Sequence, residues 1–170
     1  MSRRNAVHVR NTWFLLLIGL ASLGAVALAV YLQQSLKLNP CPLCIAQRYL
    51  FIGLGVCTLL AAASSYTGAL RLLLGSLGAL FALGGIGVAV RHLYVSANPL
   101  IDCGRDRVSE FINGLMLADM YPKVFMAFGG CGDKVPPFFG LSYPTWALIL
   151  FTLSALALFA VLITTLRERR

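Results

Sequence analysis

Long apolar stretches alternate with short polar segments along this chain. Four stretches carry no Asp, Glu or Lys and are long enough to form membrane-spanning helices, at about 12–32, 42–63, 72–90 and 145–165. Because a helix rises about 1.5 Å per residue, about 20 apolar residues cross a hydrocarbon core of about 30 Å. The pattern therefore predicts four transmembrane helices in one integral membrane domain, 1–170.

The second span depends on a proline. Its uninterrupted apolar run begins only at Tyr49, but Pro42 suits the first turn of a helix and extends the span to residue 42. Arg48 then lies inside the helix.

The first span has an alternative interpretation as a cleaved signal peptide. Arginines precede it, and Ala27-Leu28-Ala29 resembles a cleavage site. Its apolar stretch is longer than the usual apolar region of a signal peptide, which favours a retained helix.

Composition and charge agree with a membrane protein. Hydrophobic residues make up 59% of the chain and charged residues 12%, and the mean hydropathy is +0.82. Too little polar surface is left to cover a soluble globule. The net charge of +8 would suggest nucleic acid as a partner of a soluble protein, but six of the 14 basic residues flank the outer ends of the first and last spans. We therefore expect the lipid bilayer as a partner and no nucleic acid.

The loops indicate the orientation. Four spans place both termini on one side and loops of about 33–41 and 91–144 on the other. When residues 33–48 are counted on that side, Lys and Arg divide equally between the two sides, but they are denser on the side of the termini, and five of the six acids lie opposite. Four of the five cysteines also fall on that opposite side, as in an oxidising compartment. We predict cytoplasmic termini and periplasmic loops.

Small residues recur at every fourth position in several spans, for example Ala21, Ala25 and Ala29 in the first and Gly75 and Ala79 in the third. Such stripes let helices approach closely in lipid. The predicted fold is all-α, a transmembrane four-helix bundle. In the second periplasmic loop an apolar stripe predicts one short helix on the membrane surface; its members are Val108, Phe111, Ile112, Leu115 and Met116.

Candidate chemistry begins with Cys41-Pro42-Leu43-Cys44 at the predicted start of the second helix. Unpaired N–H groups and the helix dipole stabilise a thiolate there, so the pair is expected to be reactive. Arg48 follows Cys44 by four positions, on the same helical face, where its charge would favour a thiolate further. The alternative for Arg48 is an interfacial side chain that extends to water.

A second pair, Cys103 and Cys131, lies in the long loop. A structural disulfide between them is an alternative, and in the chain-entropy model it would stabilise the folded protein by about 3–4 kcal/mol. A zinc site made of Cys41, Cys44, Cys103 and Cys131 is less expected, because zinc sites of four cysteines usually contain a second closely spaced pair. We therefore predict no metal. Glycines beside both cysteines suggest backbone freedom and access for a thiolate. Cys57 is explained as a small residue at a helix contact.

Together these features resemble the disulfide bond formation protein B (DsbB) family. The resemblance rests on four spans, Cys41 and Cys44 with Arg48, the loop cysteines, and the segment Val124-Phe125-Met126-Ala127-Phe128-Gly129-Gly130-Cys131. It implies a bacterial inner-membrane enzyme that oxidises a periplasmic thioredoxin-fold thiol oxidase (DsbA type) and passes two electrons to ubiquinone or menaquinone.

The resemblance also implies roles for single residues. Cys103 would accept the partner's thiolate, Cys131 would exchange with Cys41, and Cys44 would be released facing the quinone, with Arg48 and His92 beside it. Two departures affect the details of loop docking and of the quinone environment: a glycine stands before Cys131 where relatives often have an acid, and Tyr121 replaces a tryptophan.

Two other functions stay open at this point. A quinone reductase of the vitamin K epoxide reductase type is also a helical bundle with a Cys-x-x-Cys pair, but its pair usually lies near a late helix. A membrane scaffold or small transporter needs no redox cysteines, and a transporter would need charges within its spans.

Overall fold

A computed structural model describes residues 3–64, 68–98, 107–131 and 137–169. Within these ranges the chain forms seven helices and no strand beyond one isolated bridge between Phe138 and Leu141. The helices are α1 (Arg3–Ser35), α2 (Pro42–Ala63), α3 (Gly68–Ala97), α4 (Arg107–Asn113), α5 (Met116–Met120), α6 (Pro122–Phe125) and α7 (Tyr143–Arg169).

The four long helices form a bundle in which α1 packs against α2, α2 against α3, α3 against α7, and α7 against α1. All four contain segments long and apolar enough to cross a membrane: Asn5–Ser35, Pro42–Ala63, Gly68–Ala97 and Tyr143–Arg167. The predicted fold class, an all-α transmembrane four-helix bundle, is confirmed.

Three of these helices continue beyond the apolar runs of the sequence. In α3 the added turns contain two buried polar side chains, Arg71 at one end and His92 at the other. Arg71 lies 3.1 Å from the Thr12 hydroxyl and 3.1 Å from a ring nitrogen of His8 on α1. Hydropathy does not identify these turns, because the polar side chains are stabilised by contacts with other helices.

Small residues bring α3 close to its neighbours. Gly85 lies against the Phe151 ring, and a Cβ on Gly85 would be 2.3 Å from that ring. Phe151 stacks on Phe51 of α2, with a centroid separation of 3.8 Å. The small-residue stripe predicted for α1 fails at Ala21, which is exposed, whereas Ala25 and Ala29 are half-buried; Leu15 is among the α1 residues that enter the core.

The predicted single interfacial helix, at residues 108–116, is divided between α4 and the start of α5, and a third short helix, α6, follows. Gly114 and Leu115 interrupt the helix, because Leu115 has an extended backbone. The stripe therefore does not form one face: Ile112 is buried, whereas Phe111 and Met116 are 71% and 74% exposed. Ile112 packs with Ile45 of α2, which fixes these helices on the end of the bundle that carries the α1–α2 connection.

The α1–α2 connection is short and hydrogen-bonded. The Leu38 N–H donates to the Gln33 carbonyl (2.9 Å), and Lys37 takes a left-handed conformation with φ of 50°. This is the geometry of a Schellman helix end, in which glycine is more usual. It turns the chain so that Cys41 and Pro42 begin α2 beside the end of α1.

Candidate active site at the start of helix α2

Cys41 is the N-cap residue of α2, and Pro42 occupies the first turn. The Cys41 sulfur accepts a hydrogen bond from the Cys44 backbone N–H at 3.2 Å and lies 2.8 Å from the Cys44 sulfur. Cys41 is buried and Cys44 is half-buried, and both are free thiols in this structure. The helix start therefore brings both sulfurs into contact, as the spacing predicted.

Cys41 is also hydrogen-bonded to the side chain of Cys131. This bond, the bond with Cys44 and burial together raise the pKa of the Cys41 thiol far above its ordinary value. These contacts disfavour ionisation of the Cys41 thiol, so Cys41 is not the residue that carries the thiolate expected at the helix start. Leu43 and Val95 pack around the same cysteines and shield them.

His92 approaches the cysteine pair from α3. Its Nε2 lies 3.6 Å from the Cys41 sulfur, and the side chain is buried. Its Nδ1 is buried without a hydrogen-bond partner among the described residues. His92 thus places an imidazole beside the two sulfurs, at a position 51 residues away in sequence.

The segment that carries Cys131 is docked against the residues before Cys41. The N–H groups of Phe128 and Gly129 donate to the Pro40 carbonyl at 3.1 and 3.0 Å. A Cβ on Gly129 would be 2.3 Å from the Asn39 carbonyl oxygen. Glycine is therefore needed here for close approach, whereas the sequence suggested that it provides mobility.

A second contact holds the same segment from α3. The Ser96 hydroxyl lies 3.1 Å from the Cys131 carbonyl oxygen and 2.8 Å from the His92 carbonyl oxygen. Ser96 lies one turn after His92 and so links the histidine and cysteine segments. Sequence analysis did not identify Ser96, because a serine near a helix end has no distinctive pattern.

Arg48 lies one turn after Cys44 and is only 7% exposed. Its guanidinium donates to the Val124 carbonyl through Nη1 and to the Gln33 side-chain oxygen through Nη2. Gln33 in turn donates from Nε2 to the Lys123 carbonyl at 2.9 Å. Arg48 is thus held by protein groups of α1 and α6, which disfavours the alternative of a side chain extended to water.

Comparison with known proteins shows the family of this chain. The family described as Disulfide bond formation protein DsbB matches residues 11–161. The chain belongs to the DsbB family. Disulfide bond formation protein B of Ralstonia nicotianae is 45% identical over 157 residues, which cover 92% of this chain and 96% of the relative.

Other relatives have similar coverage. Disulfide bond formation protein B of Cupriavidus necator is 45% identical over 136 residues, 80% of this chain and 83% of the relative. Disulfide bond formation protein B 1 of Pseudomonas putida is 40% identical over 146 residues, 86% of each chain. The resemblance drawn from the sequence is confirmed. This DsbB-family chain is a multi-pass membrane protein of disulfide bond formation. The family match favours this assignment over the vitamin K epoxide reductase type.

The two remaining cysteines of this DsbB-family chain are Cys57 and Cys103. Cys103 lies outside the described residues, so its predicted role stays a prediction. Cys57 is 16 residues after Cys41, or about 24 Å along α2 at 1.5 Å per residue. It faces α3 near Gly78, in agreement with a packing role.

Proposed function

We propose that this DsbB-family protein reoxidises a periplasmic thioredoxin-fold thiol oxidase of the DsbA type and passes the electrons to a membrane quinone, either ubiquinone or menaquinone. The observation that supports this most is the contact of Cys131, from the long loop, with Cys41 of the Cys41–Cys44 pair. Sulfurs from two separate segments meet at one helix start, which is the arrangement that a relay of disulfides requires.

The relay begins at the loop pair. The partner's thiolate attacks Cys103 of a Cys103–Cys131 disulfide, a bond forms between the partner and Cys103, and Cys131 leaves as a thiolate. Cys131 then attacks Cys41 of a Cys41–Cys44 disulfide and releases the Cys44 thiolate. The partner's second thiolate displaces Cys103, and Cys103 displaces Cys41 from Cys131. The partner leaves oxidised, and Cys41 and Cys44 remain as the reduced pair.

Thiol exchange moves a disulfide without net oxidation, so the reduced pair needs an electron acceptor. A bound quinone would accept two electrons and two protons and restore the Cys41–Cys44 disulfide. The residues present fit such a group. The buried Nδ1 of His92 is without a protein partner among the described residues, and the five N–H donors of Arg48 exceed its contacts with Val124 and Gln33.

Arg48 acts in this proposal as a fixed donor and charge beside Cys44. Gln33 is a positioning residue, because it accepts from Arg48 and donates to the Lys123 carbonyl. The same contacts hold α6 against α1 and α2. A change at Gln33 would therefore alter the orientation of Arg48 without removing its charge.

The proposed location is the bacterial inner membrane, with both termini in the cytoplasm. This orientation places the cysteine cluster, at the opposite end of the bundle, next to the periplasm. The density of Lys and Arg on the side of the termini supports it. Fusion of a periplasm-dependent phosphatase to the C-terminus should give an inactive reporter, whereas a fluorescent protein fused there should be bright.

The function is tested by thiol trapping in quinone-free proteoliposomes supplied with reduced partner. With added quinone, we expect continuous oxidation of the partner and cycling of Cys41, Cys44, Cys103 and Cys131 between alkylated and protected forms. Without quinone, oxidation should stop once the enzyme's own disulfides are used. Cys57→Ala is the matched control and should behave as wild type. Sustained partner oxidation without quinone, or cysteines that never change state, would contradict the proposal.

A further inference from the structure

The sequence predicts no metal, but the structure brings together Cys41, Cys44 and His92, which have the composition of a metal site. We propose that, once the pair is reduced, Cys41, Cys44 and His92 bind one Zn²⁺ ion. Each residue offers one ligand atom, and the three atoms lie within 4.8 Å of one another. Thiolate and imidazole are the ligands that zinc prefers in proteins.

One of the distances between these three atoms already matches a zinc site, and a second requires a small movement. In tetrahedral zinc sites, with Zn–S of about 2.3 Å and Zn–N of about 2.0–2.1 Å, a sulfur and a nitrogen lie about 3.6 Å apart. The observed separation of Cys41 Sγ and His92 Nε2 is 3.6 Å. Two bound sulfurs would lie about 3.8 Å apart. The observed 2.8 Å therefore has to open by about 1 Å, which rotation of the half-buried Cys44 side chain can supply.

His92 is suited to a ligand role by its lack of other contacts. Within the described part of the chain, its ring makes one polar contact, from Nε2 to Cys41, and Nδ1 has none. A neutral imidazole with its proton on Nδ1 presents the lone pair of Nε2 to the sulfurs. No other protein group in these ranges competes for that lone pair.

The site exists only in one redox state. Binding replaces two thiol protons with the metal, so one Zn²⁺ enters and two protons leave. The sulfurs of a Cys41–Cys44 disulfide are not thiolates and cannot supply these ligands. Three protein ligands leave a fourth position for water or another small ligand. Bound zinc would occupy the sulfurs needed for reoxidation. That inhibitory consequence rests on the proposed function, whereas the binding itself does not.

The test uses the full chain in detergent, with no quinone and no partner protein. Loop cysteines are removed by Cys103→Ser and Cys131→Ser, so that they cannot contribute ligands. The protein is reduced, the reductant is removed under anaerobic conditions, and the protein is titrated with Co²⁺ as a spectroscopic probe for the zinc site. We expect one equivalent of tetrahedral Co²⁺ with a sulfur-to-cobalt charge-transfer band, and displacement of that band by Zn²⁺.

Variants and redox state decide the assignment. His92→Ala should weaken Zn²⁺ binding by about tenfold or more, since even changes to groups that only orient a ligand typically cost 10–100-fold. Cys41→Ser, Cys44→Ser or oxidation of the pair should abolish the charge-transfer band. Cys57→Ala should keep it. Elution volume and circular dichroism of each variant show that the bundle is intact.

Three results would overturn the site: no band in the reduced protein, full affinity in His92→Ala, or a band that appears only when the loop cysteines are present. The last would indicate a site made of four cysteines. Because the readout is metal binding, failure of this test leaves the thiol relay unaffected. Loss of relay activity in the proteoliposome assay would likewise leave the metal site unaffected.

Discussion

Replacing Gly129 by alanine should slow the exchange between Cys131 and Cys41. The added methyl would lie 2.3 Å from the Asn39 carbonyl oxygen and 3.0 Å from the Asn39 carbonyl carbon. Both contacts are with backbone atoms, so rotation of a side chain cannot relieve them. Ordinary contact begins near 3.4 Å, and the segment of Phe128 to Cys131 must therefore move away by about 1 Å.

The cost follows from the hydrogen bonds that this movement breaks. The two N–H groups that donate to the Pro40 carbonyl at 3.0 and 3.1 Å would be drawn beyond hydrogen-bond distance. Each such bond contributes about 1 kcal/mol net. A loss of about 2 kcal/mol lowers the ratio of docked to undocked segment about 30-fold, since 1.4 kcal/mol corresponds to a factor of ten. Because the exchange rate follows the docked fraction, we expect the rate of the Cys131–Cys41 exchange to fall by up to about 30-fold.

The exchange is measured by mixing enzyme with reduced partner, quenching with acid, alkylating, and counting modified Cys41 and Cys44 by peptide mass. Gly87→Ala is the matched control, because its Cβ would meet nothing within 4 Å. It should leave the rate unchanged and stabilise α3 by up to about 1 kcal/mol. An exchange rate in Gly129→Ala equal to that of wild type would refute the inference that close docking of this segment limits the relay.

Three further predictions address single steps of the proposed function. Cys44→Ser should abolish reoxidation by quinone, because one thiol cannot deliver two electrons and form a disulfide, and turnover by this variant would exclude Cys44 from the reacting pair. Arg48→Ala should raise the apparent KM for quinone about tenfold, which corresponds to the loss of one hydrogen bond to a charged group, and Arg48→Lys should raise it less. Unchanged KM values for both variants would leave Arg48 with only a structural role, through its contacts with Val124 and Gln33. A partner that lacks its resolving cysteine should accumulate as a mixed disulfide with Cys103, and peptide mapping of the bridge to Cys131 would reverse the order of the relay.

Some sequence-based predictions held because they depend on neighbouring residues. The start of α2 at Pro42 follows from the fixed φ of proline and the N-cap position of Cys41, both properties of adjacent residues. The interfacial helix was predicted less well. Its apolar spacing suits a single helix, but Leu115 is extended and Ile112 turns inward to contact Ile45 of α2. That contact is with a residue far away in sequence, and periodicity does not report it.

The sequence by itself determined the number of spans, the class of fold and the position of the cysteine pair at the start of α2, because hydropathy, helix capping and residue spacing act over one or a few helical turns. Only the tertiary structure decided the contacts that distant groups make at the pair. His92 reaches Cys41 across 51 residues, and Gln33 reaches the Lys123 carbonyl across 90. Gly129 is required for close contact with Asn39 rather than for motion. These relations depend on how the helices and loops pack together, which no local pattern of residues records.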